Sequence, residues 1–537
     1  MPSPTSKHFL SFLLPVLEER RQQAVFKSRK DHSSAWKVAT FNDLARHVGW
    51  SSSHWQRTLT AAGLVQREVV GVWLTGRKYS DVVNIMAVSA AGFVPQLFSV
   101  VFPNSEVIWD LLSASGAKAL IVDAQFSAQT ASAPVPAFPA AILTDFDSEN
   151  SPRINIAPAA AEDNALIVHS SGTTSGSPRL ILLRHGWVFA MMDFKFTGAL
   201  KLGEFEGTDV TNTIGIFSHA ALHEYNLCSA FVSAVYAGFT TVQTSSMGMP
   251  TDELIELIDT CGLNRVAMYA PFLSVHIKAA QGDPTVLSAL RNCRQILHTG
   301  VSLNAEDENW AYDHGLPITS MYGTSETAPL MTSVLGRNPA DRLLRFIPGC
   351  SAKMVEYISR DDGTGVDAAR LWEVVLPPGQ NDSPHPSLFG EDNLYHTGDL
   401  FEEVQTGLYA FRGRSGDWLK TLGGFCDTKS IEDNVRKTCG DLLHDAVVLG
   451  TNRPCPLLFV ETLTELTTEE QKLDLAHEII RRTANFNQRL FLYERIENPK
   501  HIRVLGKGTL PRTKEKGNVR RNATEKMFAS ELNDMCA

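Results

Sequence analysis

Short apolar runs that alternate with stretches of helical periodicity are the feature that most restricts the fold of this sequence. The runs are rich in Val, Ile and Leu, which is typical of strands in buried sheets. Strands alternating with helices indicate an α/β fold. A helix is predicted over TDELIELIDTC (251–261), where Leu and Ile recur at helical spacing behind an acidic first turn. The other runs are VVGVWL (69–74), DVVNIMAVSAAG (81–92), KALIV (118–122), AAILT (140–144), NALIVH (164–169), RVAMY (265–269), RQILH (294–298) and PITSMY (317–322).

The length and a change of pattern predict two domains. A chain of 537 residues is too long for one hydrophobic core. After residue 412 there follow two β-rich runs, a helix begun by the capping box Thr467-Thr468-Glu469-Glu470, and the run HIRVL (501–505). We predict a large N-terminal domain over residues 1–414, with layered mixed and parallel sheets and helices, and a small mobile α+β domain over residues 415–537.

Composition excludes several classes of protein. A net charge of −10 argues against a general nucleic-acid binder, which needs clustered Lys and Arg. No run approaches the roughly 20 apolar residues of a membrane span. FLSFLLPVL (9–17) contains a proline and lacks a small-residue cleavage site, so it is interpreted as a buried segment instead of a signal peptide. Eight cysteines without a C-x-x-C pair predict a reducing, cytoplasmic setting.

Eight consecutive small residues, Ser170 to Ser177, interrupt the segment IVHSSGTTSGSPRLILLRH (167–185). Such a loop offers backbone N–H groups and hydroxyls that wrap an anion, so it is a candidate phosphate cradle. The alternative is a flexible linker. The strand-like flanks ALIV and LILL favour a cradle, because they bound a short turn. A P-loop phosphotransferase is disfavoured, since Pro178-Arg179 stand where that motif has Lys-Thr.

Four further motifs follow the cradle in a fixed order. They are MYGTSETAPL (321–330), YHTGDL (395–400), FRGRSGDWLK (411–420) and LPRTKEKGNVRR (510–521). Together with SSGTTSGSPR and a weak early match at ATFNDL (39–44), they resemble the core motifs of the adenylate-forming, or AMP-binding, superfamily. That group contains acyl-CoA synthetases, luciferases and the adenylation domains of nonribosomal peptide synthetases.

Two segments of the smaller domain narrow the resemblance. CDTKSIEDNVRKTC (426–439) and NRPCPLLFVET (452–462) are similar to adenylation domains of fungal nonribosomal-peptide-synthetase-like carboxylic acid reductases. Neither a phosphopantetheine-accepting serine segment nor a G-x-G-x-x-G fingerprint follows the last motif. We therefore expect either a free-standing enzyme or an excised domain.

The resemblance implies that a carboxylic acid attacks the α-phosphorus of ATP in the presence of Mg²⁺, giving acyl-AMP and pyrophosphate. The acyl group would then pass to a thiol, either of CoA or of phosphopantetheine on a carrier protein acting in trans, or to another acceptor. Two anions must meet, so charge neutralisation and in-line positioning would supply most of the catalysis. The alternative is a non-catalytic nucleotide-binding or carrier-docking relative.

The resemblance also implies roles for individual residues of the large domain. Thr173 and Thr174 would be the principal hydroxyl donors to the β- and γ-phosphates, and Glu326 would ligate Mg²⁺. Asp399 would accept hydrogen bonds from the ribose hydroxyls, with Arg414 close by. The remaining nucleotide contacts would come from the cradle residues Ser170, Ser171, Gly172, Ser175 and Gly176, from Tyr322 against adenine, from Gly323 and Thr324, and from Ser325 at the α-phosphate.

The small domain would supply the cation that the reaction needs. Lys516 is the candidate to bridge the attacking carboxylate and the α-phosphate, with Lys514 or Arg512 as alternatives, because a lysine's compact charge can be carried in on a flexible stem. The resemblance places the hinge of a domain rotation at Gly416 and Asp417.

The segment FSHAALHEY (217–225) indicates which class of carboxylic acid is the substrate. Amino-acid-activating relatives hold the α-ammonium group with an aspartate in this stretch, whereas Ser218 and His219 carry no acid. We therefore expect an acid without a free α-amino group, in a pocket that His219 lines. Aryl, polyketide-derived and aliphatic acids stay open.

Overall fold

A computed structural model describes most of the chain. The described residues are 7–29, 36–100, 105–143, 153–169, 179–202, 210–214, 227–228, 231–246, 248–300, 302–358, 371–415, 418–421, 424–451, 453–488, 490, 494–512 and 519–536.

The strands of the described ranges are as follows in chain order. They are β1 (Ala24–Arg29), β2 (Trp36–Thr40), β3 (Val69–Trp73), β4 (Val94–Leu97), β5 (Ala119–Val122), β6 (Ala137–Pro139), β7 (Asn164–His169), β8 (Leu180–Arg184), β9 (Thr211–Ile214), β10 (Thr240–Gln243), β11 (Arg265–Tyr269), β12 (Gln295–Thr299), β13 (Ile318–Thr324), β14 (Ala328–Thr332), β15 (Arg345–Phe346), β16 (Lys353–Ile358), β17 (Leu371–Leu376), β18 (Tyr395–Gln405), β19 (Leu408–Arg414), β20 (Trp418–Thr421), β21 (Gly424–Asp427), β22 (Leu443–Leu449), β23 (Leu457–Thr462) and β24 (Ile502–Leu505).

The α-helices of the same ranges are α1 (Leu14–Glu19), α2 (Phe41–Ala61), α3 (Tyr79–Ala90), α4 (Glu106–Ser115), α5 (His185–Ala190), α6 (Thr197–Leu202), α7 (Ser233–Tyr236), α8 (Thr251–Cys261), α9 (Ala270–Gly282), α10 (Pro284–Asn292), α11 (Ala305–Asp313), α12 (Thr428–Cys439), α13 (Glu469–Asn487), α14 (Arg521–Met527) and α15 (Ala529–Cys536). A π-helical segment, Met191–Phe196, joins α5 to α6. Short 3₁₀ helices cover Phe9–Phe12, Ala124–Ser132, Pro339–Arg342, Pro386–Leu388 and Pro499–His501. None of these helices is long and apolar enough to cross a membrane.

Three sheets organise the first 414 residues. A six-stranded sheet has the order β6-β5-β3-β4-β7-β8 and is parallel except for β7 with β8. A nine-stranded sheet has the order β15-β14-β13-β12-β11-β9-β10-β1-β2 and is parallel from β13 through β1. A four-stranded sheet, β16 to β19, is antiparallel throughout. The prediction of an α/β fold with layered mixed and parallel sheets is confirmed.

The C-terminal part has its own sheet and core. Strand β22 pairs antiparallel with β23, which pairs parallel with β24. Helices α12 and α13 pack on this sheet through Ile431, Val435 and Ile479, all buried against Leu458 and Val460. The combination of helices with this mixed sheet is the predicted α+β character. The boundary at 414 and the mobility of this domain stay predictions.

Local sequence explains where several elements begin. Helix α2 starts with a capping box, since Thr40 Oγ1 accepts from the Asp43 backbone N–H at 3.1 Å and Asp43 Oδ2 accepts from the Thr40 N–H at 2.8 Å. The early match ATFNDL therefore coincides with the capped start of helix α2. Helix α8 occupies the predicted residues, and FLSFLLPVL forms buried 3₁₀ and α turns around Leu10 and Leu13.

Two local predictions were wrong. Residues 140–143 of AAILT form no strand; the edge strand β6 precedes them inside the Pro/Ala-rich segment, at a sheet edge that tolerates proline. The capping box of α13 pairs Thr468 with Gln471 and not Thr467 with Glu470, because the helix starts one residue later than predicted.

Candidate functional site

A tight turn at the end of β13 carries the motif MYGTSETAPL. Residues 325–327 connect β13 to its antiparallel neighbour β14. A Cβ atom on Gly323 would lie 2.3 Å from the Ala328 carbonyl oxygen, so only glycine allows the two strands to approach this closely. Ala328 itself takes a φ of +57°, a conformation that costs energy for a residue with a side chain. The backbone here is therefore held in a fixed shape.

Two threonines lock the turn. The Thr324 N–H donates to Thr327 Oγ1 at 3.2 Å, and the Thr327 N–H donates to Thr324 Oγ1 at 3.3 Å. The Trp187 indole Nε1 donates to the Glu326 carbonyl at 3.1 Å. These hydrogen bonds fix the backbone from which the side chain of the half-buried Glu326 extends.

Asp399 meets Tyr322 across 77 residues of sequence. Asp399 Oδ2 accepts from the Tyr322 hydroxyl at 2.8 Å. Asp399 Oδ1 accepts from Arg414 Nε at 2.9 Å, from the position opposite it on β19. The structure thus brings together Tyr322, Asp399 and Arg414, which three separate motifs predicted.

The Tyr322 ring is packed on its inner side. It lies edge-to-face against Phe401, with ring centroids 4.8 Å apart and planes at 75°. Burial, and next the charge of Asp399, raise the pKa of the Tyr322 hydroxyl well above its ordinary value. The side chain is therefore a phenol that donates to Asp399. Stacking of this ring against adenine stays a prediction.

Tyr395 belongs to the same cluster and was not predicted. Burial, and next the nearby Glu326 carboxylate, raise the pKa of its hydroxyl above the ordinary value. It therefore offers a permanent O–H donor beside the proposed metal ligand. The motif YHTGDL contained it, but a tyrosine that starts a strand gives no sequence signal of function.

A carboxylate and an imidazole support the turn before Asp399. Glu373 Oε1 accepts from the Gly398 N–H at 2.8 Å, and Gly398 has a φ of +71°. Glu373 Oε2 lies 2.9 Å from His396 Nδ1, and His396 Nε2 lies 2.9 Å from Asp392 Oδ2. The only sequence signal of this support was Glu373, a single acid in the apolar strand LWEVVL.

Replacement of His396 by glutamine is expected to make stability less dependent on pH. Hydrogen bonds to Asp392 first and then to Glu373 raise the pKa of His396 above 6.5. The protonated ring therefore stabilises the fold fully below about pH 6.5, and this contribution is lost as the pH rises through the folded-state pKa. In urea unfolding, the difference in stability between wild type and variant should shrink from pH 6 to pH 9. A constant difference would refute this role.

Several predicted residues lie outside the described residues. They are the cradle residues Ser170, Ser171, Gly172, Thr173, Thr174, Ser175 and Gly176, the lysines Lys514 and Lys516, the hinge residues Gly416 and Asp417, and Ser218 and His219. The strands that flank the cradle are described, and β7 and β8 pair antiparallel as the flanks predicted. Buried His169, the last residue of β7, accepts from the Ser99 N–H through Nε2 at 3.1 Å.

The structure argues against Arg512 as the working cation. Its Nη1 donates to Asp445 Oδ2 at 2.8 Å and its Nη2 to Glu461 Oε2 at 2.5 Å. The Glu461 side chain is fully buried and also accepts from the Leu510 N–H at 2.7 Å. A buried carboxylate without its cation is costly, so Arg512 is held in place by the fold of the C-terminal part.

The donor chemistry of the site suits Mg²⁺. Glu326 presents a carboxylate from a fixed turn, and Mg²⁺ is usually bound by one or two carboxylates together with nucleotide phosphates. Within the described ranges, no group of three or more His, Cys, Asp or Glu residues is arranged to hold a metal ion. Glu326 would then be one ligand to the metal.

Sequence comparison gives matches over both parts of the chain. A family described as AMP-binding enzyme matches residues 20–367, and one described as AMP-binding enzyme C-terminal domain matches residues 423–537. The AMP-binding domain-containing enzyme iboA of Amanita muscaria is 31% identical over 490 residues, covering 89% of this chain and 92% of its own. The adenylate-forming reductase stbB of Stachybotrys bisbyi is 24% identical, over 84% of this chain and 41% of its own.

Further similarity extends to a characterised ligase and to solved structures. The 3-hydroxybenzoate–CoA ligase of an Aromatoleum species is 26% identical, over 57% of each chain. ATP-bound MatB of Rhodopseudomonas palustris superposes with a TM-score of 0.71 at 17% identity, covering 97% of this chain and 99% of its own. The o-succinylbenzoate CoA synthetase of Bacillus subtilis, in complex with ATP and a magnesium ion, gives 0.70 at 17% identity, covering 96% and 99%.

Proposed function

Because the chain belongs to the AMP-binding enzyme family, we propose that it activates a carboxylic acid with ATP and Mg²⁺, forming acyl-AMP and pyrophosphate. The observation that carries this proposal is the hydrogen-bonded group of Tyr322, Asp399 and Arg414, next to the fixed turn that presents Glu326. This group would present the Asp399 carboxylate to the ribose and the Glu326 carboxylate to the metal at one place.

The reaction places clear demands on these residues. An acid oxygen attacks the α-phosphorus of ATP, the bond between the α- and β-phosphates breaks, and pyrophosphate leaves. Asp399 would orient the nucleotide through its ribose, and cradle residues 170–176 would hold the β- and γ-phosphates. Glu326 would hold Mg²⁺, which when bound neutralises phosphate charge. Positioning and charge neutralisation then lower the barrier without a covalent intermediate on the protein.

The two parts of the chain would divide this work. We propose that residues 1–414 bind ATP and the acid, and that residues 415–537 carry Lys516 to the reacting phosphate. Rotation about Gly416 and Asp417 would then bring this domain in and withdraw it before transfer. The ion pairs of Arg512 with Asp445 and Glu461 support this assignment. Because they hold Arg512 in place, the mobile cation would be a lysine of the following segment.

The acid is proposed to lack a free α-amino group. The segment FSHAALHEY has no acid at Ser218 or His219, the positions that correspond to the ammonium-binding aspartate, and the similar ligase from Aromatoleum is named for an aromatic acid. The acceptor is proposed to be a thiol, of CoA or of a carrier protein in trans. The seven cysteines whose side chains the structure describes form no disulfide, which supports the proposal of a cytoplasmic setting.

The experiment is acid-dependent exchange of labelled pyrophosphate into ATP, screened over aromatic, aliphatic and amino acids. We expect a hit among acids without an α-amino group, no exchange without Mg²⁺, and background exchange with amino acids. The competing function, a non-catalytic nucleotide-binding protein, predicts background exchange with every acid while ATP still binds. A hit confined to amino acids would refute the proposed substrate class.

A further inference from the structure

A buried lysine lies behind the turn that carries Glu326. Only 1% of the Lys195 side chain is exposed. Its Nζ donates to the Thr327 carbonyl at 2.5 Å and lies 3.6 Å from Asp382 Oδ2, whose side chain is 3% exposed. Of these two contacts of the ammonium group, the shorter is made to the residue that follows the proposed metal ligand.

The turn is held from one side by a single helical stretch. Trp187 in α5 donates to the Glu326 carbonyl, and Lys195, eight residues later in the π-helical segment, donates to the Thr327 carbonyl. Two consecutive carbonyls are therefore fixed by two buried side chains. A π-helical segment inserts a residue into a helix and is frequent at functional sites. Here it gives Lys195 a direction that a regular α-helix would not.

The acidic partner of Lys195 is also fixed. Asp382 Oδ2 accepts from the Ser351 N–H at 3.0 Å. Arg184, just before α5, donates from Nη2 to the Ser383 carbonyl at 2.9 Å, and so ties the loop of Asp382 to the same helical stretch. The loop joins β17 to β18, and β18 carries Asp399. The pair of Lys195 and Asp382 therefore links the turn that carries Glu326 to the loop that precedes the strand of Asp399.

A buried ion pair is weak support for stability. Desolvation of the two charges offsets much of their attraction, and apolar replacements of similar volume are often neutral or stabilising. Because the ion pair at 3.6 Å is longer than the ammonium–carbonyl hydrogen bond, Asp382 acts mainly by directing the lysine. Lys195 and Asp382 therefore orient the turn that carries Glu326 more than they stabilise the core.

We propose that Lys195, paired with Asp382, is a positioning residue for Glu326 and so sets the metal dependence of nucleotide binding. The proposal rests on the proposed function, because it requires Glu326 to hold the metal. Loss of the lysine frees the Thr327 carbonyl, so Glu326 samples more directions and binds Mg²⁺ less well. Nucleotide binding without metal does not use Glu326 and is unaffected.

The test compares ATP affinity, measured by calorimetry, in excess Mg²⁺ and in EDTA. The double variant Lys195→Met/Asp382→Asn removes both charges together, so neither is left buried and unpaired. We expect its gain in ATP affinity on adding Mg²⁺ to fall at least tenfold, with unchanged affinity in EDTA. Asp382→Asn alone keeps the lysine and the acceptor for Ser351, and should lose about threefold. Exposed Lys201 in α6 provides the control Lys201→Met, which should match wild type.

The outcomes separate this inference from the function on which it rests. An unaltered Mg²⁺-dependent gain in the folded double variant, or in Asp382→Asn should the double variant not fold, overturns the role of Lys195 alone. Equal losses of affinity in Mg²⁺ and in EDTA also overturn it, because they show a general effect on the site. If wild type gains no ATP affinity from Mg²⁺, the proposed function falls as well.

Discussion

Replacing Asp399 with alanine is expected to raise the Michaelis constant for ATP at least about a hundredfold. Hydrogen bonds to a charged group contribute about 1.5 to 3 kcal/mol each, and the variant loses two to the ribose. It also leaves the buried Tyr322 hydroxyl without its acceptor, since that hydroxyl donates to Asp399 Oδ2. The measurement is acid-dependent pyrophosphate exchange as a function of ATP concentration.

Two further variants make this result specific. Asp399→Asn keeps an acceptor for Tyr322 but removes the charge, so it should fall between wild type and the alanine variant. Glu403→Gln changes an exposed acid on the same strand and should match wild type. A Michaelis constant for ATP that stays within threefold in Asp399→Ala would exclude Asp399 from the nucleotide site.

Replacing Lys516 with alanine is expected to reduce adenylate formation by a factor of about a thousand while ATP binding is retained. Its charge would be needed only where the acid meets the α-phosphate, and removal of one preorganised electrostatic contact typically costs a hundred- to a thousandfold in rate. The measurements are single-turnover formation of acyl-AMP and ATP affinity by calorimetry. Near-normal turnover would exclude Lys516.

The neighbouring basic residues serve as controls with different expected results. Lys514→Ala should leave turnover within a few fold of wild type. Arg512→Ala should instead lower the free energy of unfolding of the C-terminal part by about 3 to 5 kcal/mol, because Glu461 would be buried without its cation. If Lys514→Ala loses turnover and Lys516→Ala does not, the role passes to Lys514.

The sequence predicted those parts of the fold that local pattern determines. Continuous Val, Ile and Leu runs became β3, β5, β7, β11 and β12, because strands buried in a parallel sheet need apolar residues on both faces. Helix α8 was found because its acidic first turn and its apolar spacing agree. The four-stranded sheet was missed, because β18 (YHTGDLFEEVQ) and β19 (LYAFRGR) show no regular alternation of polar and apolar residues.

The sequence predicted those residues of the candidate site that lie within the motifs themselves. Tyr322, Asp399 and Arg414 come from separate motifs and do meet in the structure. Their supports could not be predicted, because they act through contacts distant in sequence. Lys195 is a single basic residue in an apolar stretch, and its bond to Thr327 spans 132 residues. No local pattern encodes such a pairing.

The central claim is that the bond between the α- and β-phosphates of ATP breaks when an acid is activated. The most direct measurement is a single turnover with ATP labelled at the α-phosphate, Mg²⁺ and the acid found in the exchange screen, with separation of the labelled products. The claim predicts labelled acyl-AMP with one equivalent of pyrophosphate, in wild type but not in Lys516→Ala. Labelled ADP with free phosphate, or unchanged ATP with every acid, would contradict it.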